Sequence, residues 1–243
     1  MRIKLAKQGE LEYIKNLKDS EVEHAFNKPF SDPECPRYLF DMGTFMHILP
    51  PPPARILDLG VGTGWTSIFF ALRGYNVTGQ DISEDMINLA EKNKSRYRLS
   101  NLHFLCCDYE SMNFNEEFDY ALFYDSLHHS VDEFKALQSV YRALKKGGIC
   151  LTCEPGYGHS KSEGTKKTIE RFGVTERDMH PRIIINSAKK AGFRKHFLYN
   201  RLKPPMVISG MGILNYILDA CKQQIKAAPV VSTYYTQIVK LVK

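Results

Sequence analysis

Residues 56–64 read Ile-Leu-Asp-Leu-Gly-Val-Gly-Thr-Gly, and no other stretch constrains the fold of this chain as strongly. A short apolar strand carries Asp58 and then glycines at every second position, Gly60, Gly62 and Gly64. The residues that follow, Trp65 to Arg73, carry a helical pattern. A strand that turns through glycines into a helix lets a ligand lie against bare backbone, because no Cβ bars its approach. The exposed N–H groups at the helix start favour a carboxylate or phosphate. A nucleoside-containing cofactor is therefore expected.

From Arg55 onward strands and helices alternate. The pattern predicts strands at 55–59, 76–80, 102–106, 118–123 and 148–152, and helices at 65–73, 84–94 and 132–144. A helix at 181–191 and strands at 193–199 and 235–242 follow. Such alternation implies an α/β fold with a doubly wound, mostly parallel sheet and helices on both faces. Ser83 is a natural N-cap for the second helix, with Glu84 and Asp85 in its first turn. Ligands of such sheets sit outside the carboxyl ends of the strands. Gly60, Asp81, Asp108 and Asp125 all fall at those ends.

A dinucleotide fingerprint requires Gly-x-Gly-x-x-Gly, and here the third glycine comes one residue early. Asp-x-Gly-x-Gly-x-Gly resembles motif I of the class I S-adenosylmethionine-dependent methyltransferases, and the parts that follow, through residue 155, keep that family's order. The resemblance implies a Rossmann-like fold closed by an antiparallel last strand, with S-adenosyl-L-methionine as cofactor. It implies that Asp58, Gly60, Gly62 and Gly64 hold the methionine end of the donor. Asp81, beside Ile82, can accept two hydrogen bonds from ribose hydroxyls. Asp108 and Tyr109 take the position that contacts adenine in this family. Tyr124 and Asp125 open a loop, Tyr124 to His129, similar to the one lining the methyl-donor pocket of many small-molecule methyltransferases. The N-terminal third is similar to bacterial methyltransferases of glycan or secondary-metabolite pathways.

Methyl transfer from a sulfonium is an in-line displacement, so the protein chiefly supplies alignment and a dry pocket. An alcohol acceptor also needs a base, and histidine suits neutral pH. His128 and His129 follow the fourth strand, while Glu154 and His159 follow the fifth; these are the candidate catalytic residues. Adjacent residues rarely point the same way, so at most one of His128 and His129 is expected to serve. Each histidine could equally cap a helix or hold a loop. The histidines lack helical or hairpin ligand spacing, so no metal is expected. Arg37 and Tyr38 are candidates to face the acceptor.

The chain of 243 residues fits one domain with additions. Residues 1–53 are expected to form an N-terminal helical cap ending in the run Pro50 to Pro53, which neither ladders nor helices tolerate. Residues 54–243 are the donor-binding domain, with an insertion at 200–233 whose apolar stretch, Met206 to Leu218, suits a substrate cover, a homodimer face or plain packing. The net charge of +6 is modest. No aromatic-interleaved basic helix argues for a nucleic-acid partner. The expected acceptor is a small molecule, anionic or sugar-like. No apolar run suggests a signal peptide or a membrane span, so a cytoplasmic address is expected. Cys150 and Cys153 should face opposite sides of a strand, as reduced, packed thiols. Two other classes compete: an NAD(P)-dependent oxidoreductase, which Asp81 would also suit, and a non-catalytic partner subunit that binds the donor without turnover.

Overall fold

Every residue of the strand Phe118–Tyr124 except Asp119 is apolar or aromatic, as a strand covered on both faces requires. Tyr120, Leu122 and Tyr124 enter one core, and Ala121 and Phe123 enter another on the opposite face. This two-residue alternation sets the layers of the molecule. The computed structural model describes residues 2–201 and 237–243, with side chains from residue 7 onward. In chain order the elements are α1 (Arg2–Glu12), α2 (Asp19–Phe26), α3 (Cys35–Ile48), β1 (Arg55–Leu59), α4 (Trp65–Arg73), β2 (Asn76–Asp81), α5 (Glu84–Tyr97), β3 (Leu102–Cys106) and β4 (Phe118–Tyr124). They continue with α6 (Glu133–Ala143), β5 (Leu144–Cys153), α7 (Glu163–Phe172), α8 (Pro181–Ala191), β6 (Lys195–Tyr199) and β7 (Ile238–Val242).

The described strands form one seven-stranded sheet in the order β3-β2-β1-β4-β5-β7-β6. The first five are parallel, and β7 runs antiparallel to both β5 and β6. The expected fold class therefore stands. The chain direction across the sheet reverses between β1 and β4, which is where such sheets open a crevice for ligands. Helices α6 and α8 cover one face with Ala136, Val140, Ile184 and Ala188. On the other face Met42 and Phe45 of α3 join Ile68 and Phe70 of α4. Cys150 lies in the core under α6 and α8 and Cys153 in the core under α3 and α4, as strand alternation requires.

Helix α7 is the main element that the sequence pattern did not disclose. Its segment is largely polar and buries only Thr165, so it lacks the apolar residues that marked the other helices. Its start is fixed by the Ser162 hydroxyl, which accepts from the Thr165 N–H at 3.1 Å. No described helix is long and apolar enough to cross a membrane. The stretch Met206 to Leu218, with the cover and homodimer readings attached to it, lies outside the described residues.

The loop after β1 is where backbone freedom is required. Gly64 adopts φ +80°, and a Cβ there would lie 2.7 Å from Phe104 of β3 and 3.0 Å from Ala90 of α5. Its absence lets α4, α5 and β3 close on one another. A left-handed conformation with a Cβ costs about 1–2 kcal/mol, and overpacking adds ~1–3 kcal/mol. Gly64→Ala should therefore lower the stability to urea by at least ~2 kcal/mol; a loss below half of that would refute this packing account.

Candidate active site

A cavity of about 240 Å³ opens at the carboxyl end of the sheet. Gly60 and Gly62 from the loop after β1 form its floor, with Asp81, Ile82 and Met86 beyond β2. Tyr109 after β3 and Asp125, Ser126 and His129 after β4 form a second wall. Glu10 and Tyr13 reach it from the N-terminal helical segment, and Thr168, Val174 and Glu176 close the remaining side. Of the ten residues expected to contact the cofactor, six therefore line one cavity: Gly60, Gly62, Asp81, Ile82, Tyr109 and Asp125.

The glycine loop is pinned to the neighbouring strand. The N–H groups of Gly60 and Val61 both donate to the Gln80 carbonyl, at 2.8 and 3.0 Å. Gly62 N–H donates to Asp81 Oδ2 at 2.8 Å, and Ser83 N–H to Asp81 Oδ1 at 2.9 Å. Each carboxylate oxygen retains acceptor capacity for a ligand hydroxyl. Burial pushes the Asp81 carboxyl up, against the two N–H donors. A Cβ on Gly60 would lie 2.6 Å from the Ser126 Cβ, whereas one on Gly62 would meet nothing closer than 4.0 Å. Gly60 thus allows the β4 loop to approach, and Gly62 leaves the cradle open on the cavity side.

Four expected cofactor contacts stand elsewhere. Asp58 is 1% exposed, and its Oδ2 accepts the hydroxyls of Thr66 and Ser67 at 2.6 and 2.7 Å. It ties β1 to the start of α4 beneath the loop and does not reach the cavity. Burial raises its carboxyl to about 6, against those hydroxyl donors. Gly64 packs into the core as described. Asp108 accepts the Glu110 N–H at 2.9 Å and pairs with Lys7 of α1, so its carboxylate serves the contact with that helix. The Tyr124 hydroxyl donates to Asp41 Oδ2 at 2.6 Å, and Asp41 also pairs with Arg201.

Tyr124 lines a second cavity of about 260 Å³, together with Arg37, Asp125, Cys153, Glu154, Pro155, His159 and Arg201. Asp125 belongs to both cavities. It holds φ +54°, a conformation that aspartate tolerates better than most residues, and this aims the chain after β4 between the two spaces.

The candidate catalytic residues form a single cluster. Glu154 is 2% exposed and accepts the backbone N–H groups of Ser126, Leu127 and His128 at 3.2, 2.9 and 3.3 Å. His128 Nδ1 donates to Glu154 Oε2 at 2.7 Å, and its Nε2 stands 3.3 Å from Glu176 Oε2. Burial opposes charge on this ring, but the two carboxylates outweigh it and push His128 to about 10. A ring so enclosed is a poor proton acceptor for a substrate. His129 Nδ1 donates to the Thr175 carbonyl at 2.7 Å. Burial and the neighbouring His128 pull it down, yet Glu10 and Glu176 leave it raised. His159 Nε2 meets Glu176 Oε2 at 2.7 Å. Burial is outweighed at Glu176 by these histidines, which hold its carboxyl well below the usual range.

Adjacency did not separate His128 from His129. They sit in a 3₁₀ turn, Leu127–His129, and their ring centroids are 4.0 Å apart. Glu10, Tyr13 and Glu176 were not foreseen. Glu176 lies in the polar run Thr175 to Asp178, which by composition resembles a solvated face.

Residues 56–148 match the family model described as a methyltransferase domain. Over that part the chain is similar to S-adenosylmethionine-dependent methyltransferases, in agreement with the glycine motif at 58–64. It is 39% identical over 106 residues to the putative methyltransferase YqeM of Bacillus subtilis, covering 42% of each chain. It is 35% identical over 108 residues to a ubiquinone/menaquinone biosynthesis C-methyltransferase of Vibrio parahaemolyticus, again covering 42% of each. The chain spans less than half the length of the curated relatives it matches. In fold it is similar to phosphoethanolamine N-methyltransferase 2 of Haemonchus contortus in complex with S-adenosyl-L-methionine, with a TM-score of 0.69 at 21% identity, over 98% of this chain and 60% of that one.

Two predictions follow from this geometry. Gly62→Ala adds a methyl on the cavity side at φ +53°; calorimetry should find S-adenosylhomocysteine bound at least tenfold more weakly, ~1.4 kcal/mol, with undiminished binding ruling out the cradle. The second concerns Asp58. The fold keeps its proton up to about pH 6, whereas the unfolded chain releases it near 4. The folded state binds more protons between those values, so this group's contribution is full below pH 4 and lost as pH rises through 6, by roughly 3 kcal/mol. The stability of Asp58→Asn relative to wild type should rise across that window; a constant difference would contradict the assignment.

Proposed function

We propose that this protein transfers the methyl group of S-adenosyl-L-methionine to a small-molecule acceptor, anionic or sugar-like, held in the second cavity. The observation that carries the reading is the charge on the donor-cavity wall. Glu10, Asp81, Asp125 and Glu176 line it, and no lysine or arginine does among the described residues. Four carboxylates suit a cationic sulfonium and repel the diphosphate of a dinucleotide, which weighs against the oxidoreductase alternative.

The donor, when bound, supplies a sulfonium methyl for in-line displacement. Asp81 accepts the ribose hydroxyls, and the Gly60–Gly62 backbone leaves room for the remainder. Glu10 and Tyr13 cover the cavity, and the Lys7 pairs with Asp108 and Glu110 hold α1 over it. Residues 1–53 thus act as the cap. Asp125, shared by both cavities, marks where the reacting groups meet.

On the acceptor side Arg37 and Arg201 provide positive charge for an anionic group. His159 is the proton acceptor where a hydroxyl is methylated. It lines that cavity, and Glu176 fixes its Nε2, leaving Nδ1 for the acceptor. His128 and Glu154 act as positioning residues for the β4 loop. Relatives that carry the names phosphoethanolamine N-methyltransferase and ubiquinone/menaquinone biosynthesis C-methyltransferase support a small acceptor without choosing the atom methylated.

The reading is tested by calorimetric titration of S-adenosylhomocysteine into wild type and Asp81→Ala, with NADH as control. Micromolar binding that Asp81→Ala weakens at least tenfold, or ~1.4 kcal/mol, is expected, with no NADH binding. Binding of NADH alone would overturn the reading.

A further inference from the structure

Glu176 is the meeting point of three imidazoles that come from two separate stretches of chain. His128 Nε2 stands 3.3 Å from its Oε2 and His159 Nε2 stands 2.7 Å from the same oxygen. Single donor atoms of His128, His129 and Glu176 all lie within 4.8 Å of one another. Sequence spacing gave no hint of this set, because Glu176 is 47 residues beyond His129 and is returned to it only by the fold.

The surroundings of these donors are those of a metal centre. Metal-ligating histidines give their other ring N–H to a carboxylate or backbone carbonyl, which fixes the tautomer and the ring plane. His128 does so to Glu154 Oε2 and His129 to the Thr175 carbonyl, each at 2.7 Å. Nε2 is then the ring atom each histidine would offer a metal, and that of His128 already faces Glu176. Glu154 is in turn held by three backbone N–H groups of the loop that carries both rings. Two ligand atoms at about 2.1 Å from a tetrahedral ion stand roughly 3.4 Å apart, and the His128 Nε2 to Glu176 Oε2 separation is 3.3 Å.

We propose that His128 Nε2, His129 Nε2 and Glu176 form a binding site for one divalent first-row transition ion on the wall of the donor cavity, with His159 hydrogen-bonded to the ligating carboxylate. Two histidines and one carboxylate form a donor set that takes zinc or iron(II) and leaves coordination positions open. His129 and Glu176 line the cavity, so an open position faces the space where a substrate oxygen could coordinate. The hard ion magnesium, which keeps its water and prefers oxygen ligands, is excluded by the two imidazoles.

The test reads metal on the full chain alone and is independent of the donor assignment. The chelator-treated protein is titrated with Zn²⁺, and separately with Mg²⁺, by calorimetry. Stoichiometry is checked by elemental analysis, and Co²⁺ is added as a spectroscopic probe. One Zn²⁺ per chain at micromolar or tighter affinity is expected, with no Mg²⁺ binding. Glu176→Gln and His129→Ala should each weaken Zn²⁺ at least tenfold while keeping a cooperative thermal transition. Bound Co²⁺ should show visible d–d bands without sulfur-to-metal charge transfer. The last readout uses wild type and stands even if both variants fail to fold. Absence of stoichiometric Zn²⁺, affinity unchanged in both folded variants, or a charge-transfer band pointing to Cys106 and Cys107 would each overturn the site.

Discussion

The buried carboxylate of Glu154 is the contact on which the carboxyl end of the sheet depends. It stands at the end of β5 and accepts three successive backbone N–H groups from the turn after β4, plus the His128 ring. Hydrogen bonds to an ionised acceptor are worth about 1.5–3 kcal/mol each, and losing the acceptor would leave buried N–H groups without partners. The turn it fixes then organises the neighbouring strand. The Ser126 hydroxyl donates to the Leu59 carbonyl at 2.7 Å, and the Tyr109 hydroxyl donates to the Ser126 carbonyl at 3.0 Å. Gly60 can lie against Ser126 only because it has no Cβ. One carboxylate thus sets the relative positions of the loops after β1, β3 and β4.

The sheet was legible because each of its signals is local. A nearly continuous apolar run marked β4, the glycines marked the turn into α4, and Ser83 marked the start of α5, where its hydroxyl accepts the Met86 N–H at 3.3 Å. Position after a strand proved a weaker guide to what a side chain touches. Asp81 and Asp108 follow adjacent parallel strands, yet Asp81 faces the cavity while Asp108 faces Lys7. The difference is made by α1, which lies about a hundred residues earlier in the chain. Asp58 was likewise drawn under the loop by Thr66 and Ser67, hydroxyls that the helical pattern of α4 placed within reach.

The histidine cluster was illegible for a different reason. The expectation that adjacent residues diverge holds for extended chain, where successive side chains alternate. The chain after β4 leaves that regime at Asp125, whose positive φ turns it into a 3₁₀ segment. There the two ring centroids lie 4.0 Å apart, with the rings tilted by 38°. Their common partner, Glu176, lies beyond α7 in a stretch without hydrophobic periodicity.

The first cavity is lined by four acidic residues, whereas the second sets Arg37 and Arg201 beside Asp125 and Glu154, and under the proposed reading this difference bears on how a displacement reaction could run between them. An acidic wall favours a cationic donor over its neutral product, so it strengthens binding of the reactant and hastens release of the product. The same wall works against the chemical step, because charge it stabilises is lost as the methyl moves; only interactions stronger in the transition state accelerate a reaction. The rate must therefore come from alignment and exclusion of water. Under the proposed reading both fall to the loop system held by Glu154 and to α1, which Lys7 ties to Asp108 and Glu110. A cation on the Glu176 side would offset part of the acidic wall and lessen the penalty. The histidine cluster and the donor cavity are on this view one electrostatic unit, in which the charge near Glu176 sets how strongly the sulfonium is held.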